Sequence, residues 1–515
     1  MSSTLLFSFV IGYFLVLLAV AWRTSRNSNN ESFFIGNRNS NWMLVAFGMI
    51  GTSLSGVTFV SVPGTVGDIA GDSHKAFGYF QVVIGNWIGL MVIAFVLLPL
   101  YYRLNLTSIY NYLHTRFGNI AYKTGSLFFI ISRTVGATAR LYLVINVIHI
   151  FILQDLGIPF GVTTFVILLM ILLYTFEGGV KTIVYTDTLQ TTFMLLGLIV
   201  CIFYIMQHLD MNFTSTMHTL GDKGFTRIFN TDINSKGFFV KQIIGGMFIM
   251  IAMTGLDQEM MQKNISVKNL RDSKKNMLTF SMIMVGVNFL FLLLGGLLYL
   301  FVLHQGGAYV DQTVVHDGVS SVHHQLMLNG KNVIGDDLFP TMALHFLPKA
   351  VSIIFILGLI SALFPSADGA LTALTSSFCI DLLDLRNRKG LNEKQQKRTR
   401  MTVHISFAVI FLCCILIFKW IDNKSIINVI LDLATYTYGP LLGLFAFGIF
   451  TKRQLPNTWM ITAICLLSPT CCYFISQYSA PLLGGFQIGI ELLLINGILT
   501  FLGLLSISKR QALAN

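Results

Sequence analysis

Ionisable side chains inside apolar segments are the residues of this sequence best placed to do chemistry. Six of them lie within or at the edges of such segments: Arg133, Arg140, Asp187, Asp257, Asp368 and Asp432. A charged side chain at the centre of a bilayer costs about 2.5–3.5 kcal/mol on insertion scales, so it persists where a partner or a polar interior compensates it. One such charge can belong to a structural ion pair. Six, spread over several segments, indicate a water-accessible pathway through the membrane.

The stretch GTSLSGVTFVSVPG at residues 51–64 lies inside one apolar segment but is rich in Gly, Ser and Thr. Glycine weakens a helix by about 1 kcal/mol per residue. Irregular backbone within a membrane is tolerated where it is buried in protein or lines a cavity, and its carbonyl oxygens then suit hard cations such as sodium. The stretch therefore indicates a broken helix. Close helix packing through small residues explains the same composition, and the stretch alone does not separate the two.

A second stretch of this kind, SALFPSADGALTALTS, occupies residues 361–376. It combines Pro365, Asp368 and the hydroxyl groups of Ser366, Thr372 and Thr375 in an apolar setting. Oxygen atoms from the two stretches could close one cation site between them.

The elements that must position these groups are membrane-spanning helices. The chain has 515 residues, of which 54% are hydrophobic and 11% charged, and its mean hydropathy is +0.71. These values exclude an ordinary soluble domain and predict an all-α polytopic membrane protein. About thirteen apolar runs are long enough to cross the bilayer: they lie near residues 4–22, 42–66, 79–100, 124–152, 158–176, 183–206, 238–261, 278–304, 347–383, 401–420, 425–450, 457–477 and 486–507.

Lys and Arg concentrate in one set of alternate loops. This set includes the loop at 386–400 and the segment at 263–275, which we also interpret as a loop. The positive-inside rule places these loops in the cytoplasm. We therefore expect a multi-pass protein of the plasma membrane with its N-terminus outside and its C-terminus in the cytoplasm. The loops also explain the net charge of +11, so no nucleic-acid partner is expected. The sequence has no Walker A, HExxH or GxSxG motif, which argues against an ATP-driven pump or an enzyme.

Four further motifs make the sequence resemble the sodium:solute symporters. They are SFFIGNRNSNWM at 32–43, GGVKTIVYTDTLQ at 178–190, GLDQEMMQKNIS at 255–266 and YGPLLGLFAFGIF at 438–450. The resemblance implies the LeuT-type fold, with two inverted repeats of five helices. It divides the chain into an extra helix and cytoplasmic loop (1–41), the first repeat (42–206), an extracellular loop (207–237), the second repeat (238–450) and two C-terminal helices (451–515).

The resemblance also implies where sodium binds. The matching positions of the main sodium site are Gly51, Leu54, Ala362, Pro365 and Ser366. Related proteins usually have Ser where this chain has Pro365, so one hydroxyl ligand is missing and the site either persists or is weakened. Asp187 matches an aspartate of a second sodium site found in some members, and Asp368 stands among its companions. The two carboxylates could hold sodium, could share a proton, or Asp368 could pair with an arginine.

For the solute, the matching positions are Ser53, Thr58, Gln81, Asp257 and Asp432. Arg133 and Arg140 are seven residues apart, about two helical turns, and so share a face. Either arginine could bind a solute carboxylate or neutralise one of the aspartates; Tyr436 and Tyr438 could form a gate or pack in the core.

These inferences together predict a sodium-coupled symporter that imports a sugar, a sugar acid or another organic acid by alternating access. A proton-coupled symporter of the same fold is the alternative, and a channel is less favoured because the charges form no ring. The expected partners are Na⁺, a small solute and the lipid bilayer, and the expected assembly is a monomer or a weak homo-oligomer.

Overall fold

The computed structural model describes residues 3–25, 33–34, 36–70, 73–176, 179–316, 319–385, 392–421, 433–482, 484 and 486–509. Within them the chain is a bundle of long apolar helices. Eight helices are long and apolar enough to cross a membrane, two further spans are bent helix pairs, and three shorter helices are also apolar. These elements fall on the runs read from the sequence, which confirms the helical membrane class; the number of spans stays a prediction.

The first half of the bundle follows one N-terminal helix. Its helices are α1 (Ser3–Ser25), α2 (Trp42–Ser53), α3 (Gly56–Thr65), α4 (Tyr79–Val92), α5 (Asn111–Phe117), α6 (Asn119–Ile148), α7 (Phe160–Thr175) and α8 (Gly179–His208). The π-turn Ile93–Leu97 and the helix Leu98–Arg103 extend α4, and the π-turn His149–Leu153 extends α6. Helix α9 (Phe213–Asp222), which begins with a capping box at Asn212 and Ser215, connects the two halves.

The second half repeats the pattern of a bent pair followed by long helices. Its helices are α10 (Phe239–Met250), α11 (Gln258–Ile265), α12 (Leu270–His304), α13 (Lys349–Ser377), α14 (Glu393–Ile421), α15 (Gly439–Phe450), α16 (Met460–Leu482) and α17 (Leu492–Ile507). Helix α13 and the π-turn Phe378–Leu382 form one span of 34 residues, so the long run near 347–383 is a single extended helix.

Short antiparallel strands join the helices at two places. β1 (Ile69–Ala70) pairs with β2 (Ser73–His74) between α3 and α4. β3 (Ala308–His316), β4 (Val319–Leu328) and β5 (Lys331–Asn332) form a three-stranded sheet between α12 and α13. The sequence analysis predicted helices alone and did not anticipate these strands. A 3₁₀ turn (Gly335–Asp337), a short helix (Leu338–Thr341) and a π-turn (Met342–Phe346) lead from the sheet to α13.

Close backbone contact holds neighbouring helices together. Helix α8 packs along α13 and α2, and α4 packs along α10. Where α4 meets α10, a Cβ atom at Gly85 would lie 2.1 Å from the Ile243 carbonyl oxygen. Only glycine permits this approach, which is the usual way that membrane helices gain packing contacts in the absence of a hydrophobic driving force.

Candidate sodium and solute site

The predicted break in the first bent pair is present. Helix α2 ends at Ser53, and α3 begins at Gly56 at an angle of 56° to it. Leu54 (φ −87°, ψ 74°) and Ser55 (φ −71°, ψ 176°) leave the helical region between them. The i to i−4 hydrogen-bond ladder is therefore interrupted at these two residues, which leaves backbone oxygen atoms available to a ligand.

This break lies against the middle of α13. A Cβ atom added to Gly51 would lie 3.6 Å from Cγ of Pro365, and one added to Gly56 would lie 3.9 Å from the carbonyl oxygen of Ala362. Ser366 is buried, and its hydroxyl donates to the Leu363 carbonyl at 3.0 Å. The structure thus brings the two halves of the predicted main sodium site side by side, although they are about 300 residues apart in sequence.

A second break, at Leu256 and Asp257, was not anticipated. The π-turn Ile251–Gly255 ends α10, and α11 leaves it at 63°. Asp257 caps α11: its Oδ1 accepts hydrogen bonds from the backbone N–H of Glu259 at 2.9 Å and of Met260 at 3.3 Å. An aspartate at this position accepts hydrogen bonds from the free N–H groups of the first helical turn, and its negative charge interacts favourably with the helix dipole. Asp257 therefore has a structural role as the N-cap of α11.

Arg133 is held by acidic residues of the second break. Its guanidinium hydrogen-bonds to the Glu259 carboxylate and lies 3.9 Å from Oδ2 of Asp257. The Tyr438 hydroxyl also donates to Asp257 Oδ2, at 3.0 Å. All four side chains are buried. Two groups expected to face the solute, Arg133 and Asp257, are thus already engaged within the protein.

Lys263 is the largest departure from the sequence analysis, which counted it among cytoplasmic loop residues. It is 3% exposed, within α11. Its ammonium group donates to Asp187 Oδ2 at 2.7 Å and to the Thr52 hydroxyl at 2.6 Å, and lies 3.7 Å from Oε1 of Glu259. The assignment to a loop was wrong because the second break turns the chain back into the bundle.

Asp368 is fully buried and has different partners. It accepts hydrogen bonds from the Tyr174 hydroxyl at 2.8 Å and from the Gly369 N–H at 2.5 Å. Among the described residues it forms no ion pair with Arg133 or Arg140, so the alternative of an arginine partner finds no support there. Whether Asp187 and Asp368 hold a cation stays a prediction.

A cavity of about 120 Å³ opens beside the first break. Ser53 and Thr58 line it, as predicted for the solute site, and so do Arg133 and Arg140. The rest of the lining is mixed. Its polar side chains include Tyr79, Asn86, Thr254 and Asn288, and its apolar side chains include Val57, Val82, Ile249, Met250, Met253, Met260 and Met284. A small organic molecule with one charged end suits such a lining.

Arg140 differs from Arg133 in its partners. Within the part of the chain that the structure describes, Arg140 forms neither a salt bridge nor a hydrogen bond, and it is partly buried at the cavity. Gln81, in contrast, does not line this cavity: its amide contacts the Gly78 carbonyl and the Asn230 N–H. Asp432 lies outside the described residues.

Comparison with known proteins decides the family. The sequence profile of the sodium:solute symporter family matches residues 33–464. The chain belongs to this family. It is accordingly a multi-pass membrane transporter that couples a solute to sodium, and not an enzyme, as the sequence analysis predicted.

Individual relatives are distant but match most of the chain. The sodium/sialic acid symporter NanT of Aliivibrio fischeri (strain ATCC 700601 / ES114) is 22% identical over 87% of this chain and 83% of its own length. Sodium/glucose cotransporter 1 of Oryctolagus cuniculus is 21% identical over 87% and 68%. A solved structure of a Na⁺-coupled sialic acid symporter in a substrate-bound outward-open state superposes with a TM-score of 0.78 at 18% identity, covering 98% of this chain and 99% of that one. The LeuT-type fold is thereby confirmed.

Proposed function

We propose that this transporter imports a small organic anion together with sodium, and that Arg140 binds the carboxylate of the solute. The observation that carries this proposal is the contrast between the two arginines. Arg133 is neutralised by Glu259 and Asp257, whereas Arg140 faces the cavity without an anionic partner among the described residues. A guanidinium that lacks an internal partner and faces a cavity suits a carboxylate, which it can bind through two parallel hydrogen bonds.

The remaining surroundings of the cavity support the same solute class. Ser53 and Thr58 offer hydroxyl groups near the break, and the methionines of α10, α11 and α12 offer an adaptable apolar wall. The relative NanT is named for sialic acid, which is also an acid.

Sodium, in this proposal, binds between the first break and α13. The ligands are the carbonyl oxygens of Gly51, Leu54, Ala362 and Pro365 and the hydroxyl of Ser366. Pro365 brings no hydroxyl, but it has no N–H for the Ser361 carbonyl one turn earlier, and that carbonyl is thereby left free for another partner. Close contact between Gly51 and Pro365 supports this placement.

The transport cycle follows from these two sites. Sodium would order the break in the outward-facing state and complete the cavity, and the solute would then bind beside it. The two repeats, 42–206 and 238–450, would next move relative to each other and open the site to the cytoplasm. We propose from the positive-inside rule that the N-terminus lies outside and the C-terminus lies in the cytoplasm.

Uptake by purified protein in liposomes tests the coupling ion. We expect short-chain and medium-chain carboxylates to accumulate under an inward sodium gradient, and the corresponding alcohols and amides not to accumulate. A pH gradient without sodium should drive no accumulation. Accumulation under the pH gradient alone would instead establish the proton-coupled alternative, and uptake of neutral sugars in place of acids would refute the anionic solute.

A further inference from the structure

A buried lysine joins three elements at the centre of the bundle. Lys263 on α11 contacts Asp187 of α8 and Thr52 of α2 through its ammonium group, at 2.7 Å and 2.6 Å. Glu259 lies within 3.7 Å on the same helix. The three side chains surround the ammonium group with carboxylate and hydroxyl oxygens, which are also the ligands that an alkali cation prefers.

Asp187 needs a cation to compensate its charge. It is fully buried, and a carboxylate in such a place requires a compensating charge. A sodium ion meets that need reversibly, because it arrives from one side of the membrane and leaves on the other. A lysine meets it permanently, since its charge is attached to the chain.

We infer that the Lys263 ammonium is the resident cation of Asp187 and takes the place of a second coupling ion, so that one sodium ion is transported per solute. This inference rests on the proposed function, because the single ion is the one placed between Gly51 and Ser366.

The number of sodium ions bound per chain tests the inference, because one oxygen of Asp187 is free to bind an ion. Its second oxygen, Oδ1, has no hydrogen-bond partner among the described residues. A sodium ion bound there in addition to the lysine would give two ions per chain, whereas a resident lysine that suffices gives one.

The experiment measures the binding of radioactive ²²Na⁺, without solute, to the full chain in lipid nanodiscs. The wild type should bind one ion per chain, and Ser366→Ala should abolish that binding. Lys263→Ser leaves the carboxylate of Asp187 free and supplies a hydroxyl group, so this variant should bind two ions. In Lys263→Ser with Ser366→Ala, one ion should remain, at Asp187.

A second variant covers the case in which Lys263→Ser does not fold. Asp187→Asn with Lys263→Gln removes both charges of the pair and should fold and bind one sodium ion, as the wild type does. Two ions bound by the wild type would overturn the inference, as would one ion bound by folded Lys263→Ser or none by the neutral double variant. A wild type that binds no sodium would instead refute the proposed sodium site itself.

Discussion

Replacing Arg133 by glutamine should lower stability, whereas replacing Arg140 by glutamine should weaken solute binding, although both residues lie on one face of α6. Arg133→Gln removes the cation that compensates Glu259 and Asp257, both of which are fully or almost fully buried. Breaking a buried ion pair from one side destabilises a protein by about 3–5 kcal/mol. Lys263 lies 3.7 Å from Glu259 and compensates part of the loss. We therefore expect the lower end of that range, about 3 kcal/mol.

Arg140→Gln should leave stability nearly unchanged and weaken solute binding. No described residue pairs with Arg140, so its removal leaves no buried charge behind among them. A hydrogen bond to a charged group contributes about 1.5–3 kcal/mol. Because each 1.4 kcal/mol is a factor of about ten, the KM for a carboxylate should rise by about 10- to 150-fold.

The assay combines thermal unfolding in nanodiscs with the concentration dependence of sodium-driven uptake. For a chain of this size, 3 kcal/mol corresponds to a fall in Tm of at most about 6 °C, and it should be accompanied by less folded protein in the membrane. Arg103→Gln changes an exposed arginine in the same way and serves as the control for both measurements. In Arg133→Gln with Glu259→Gln part of the lost stability should return, since the Glu259 carboxylate is then no longer left unpaired, whereas Asp257 still lacks the guanidinium.

A reversed pattern would refute this reasoning. If Arg140→Gln lowered Tm as much as Arg133→Gln and left KM unchanged, then Arg140 would be a structural residue, and Asp432, which lies outside the described residues, would be the first partner to test. If Arg133→Gln raised KM without loss of stability, the assignments of the two arginines would have to be exchanged.

Three further predictions use other contacts. Gly56→Ala places a Cβ atom 2.0 Å from Cγ2 of Val144, so it should lower Tm and sodium-dependent stabilisation, and Val144→Ala in the same chain should restore most of both. Tyr438→Phe removes the donor to Asp257 and should destabilise the protein by about 1–3 kcal/mol, measured as a lower Tm, without a large change in KM. With one sodium ion per monovalent anion, an imposed inside-negative potential of 100 mV should leave the initial rate of wild-type uptake unchanged and raise that of Lys263→Ser, measured in liposomes with a potassium diffusion potential.

The first helix break could be predicted because its cause is local. Glycine and hydroxyl side chains in an otherwise apolar run are unusual enough to be visible in composition alone, and the break occurs at Leu54 and Ser55 inside the stretch so identified. The contact between this break and α13 joins residues far apart in the sequence. The sequence supported it through two similar stretches and through resemblance to a family, not through any local signal.

The second break shows the limit of such reading. Residues 255–266 carry Asp257, Glu259 and Lys263 within a few positions, which is typical of a loop at a membrane surface. In the structure they form a short buried helix, because each charge finds a partner on another helix. Partners so far apart in sequence cannot be paired from composition. The cap at Asp257 could have been found, since an aspartate followed by Gln258 and Glu259 at the end of an apolar run is a common helix start.

The proposed ion count determines how steep a solute gradient the transporter can build. One sodium ion and one monovalent carboxylate carry no net charge, so the membrane potential does no work on the loaded step, and a tenfold sodium gradient, worth about 1.4 kcal/mol, supports at most about tenfold accumulation. A second sodium ion would add the same amount again and about 2.3 kcal/mol per 100 mV. With Lys263 in place of a second sodium ion, less free energy is available for solute accumulation. The buried carboxylate of Asp187, however, stays neutralised in every state of the cycle. Such a transporter suits a solute that is consumed soon after entry, because rapid removal keeps its internal concentration low and makes a steep gradient unnecessary.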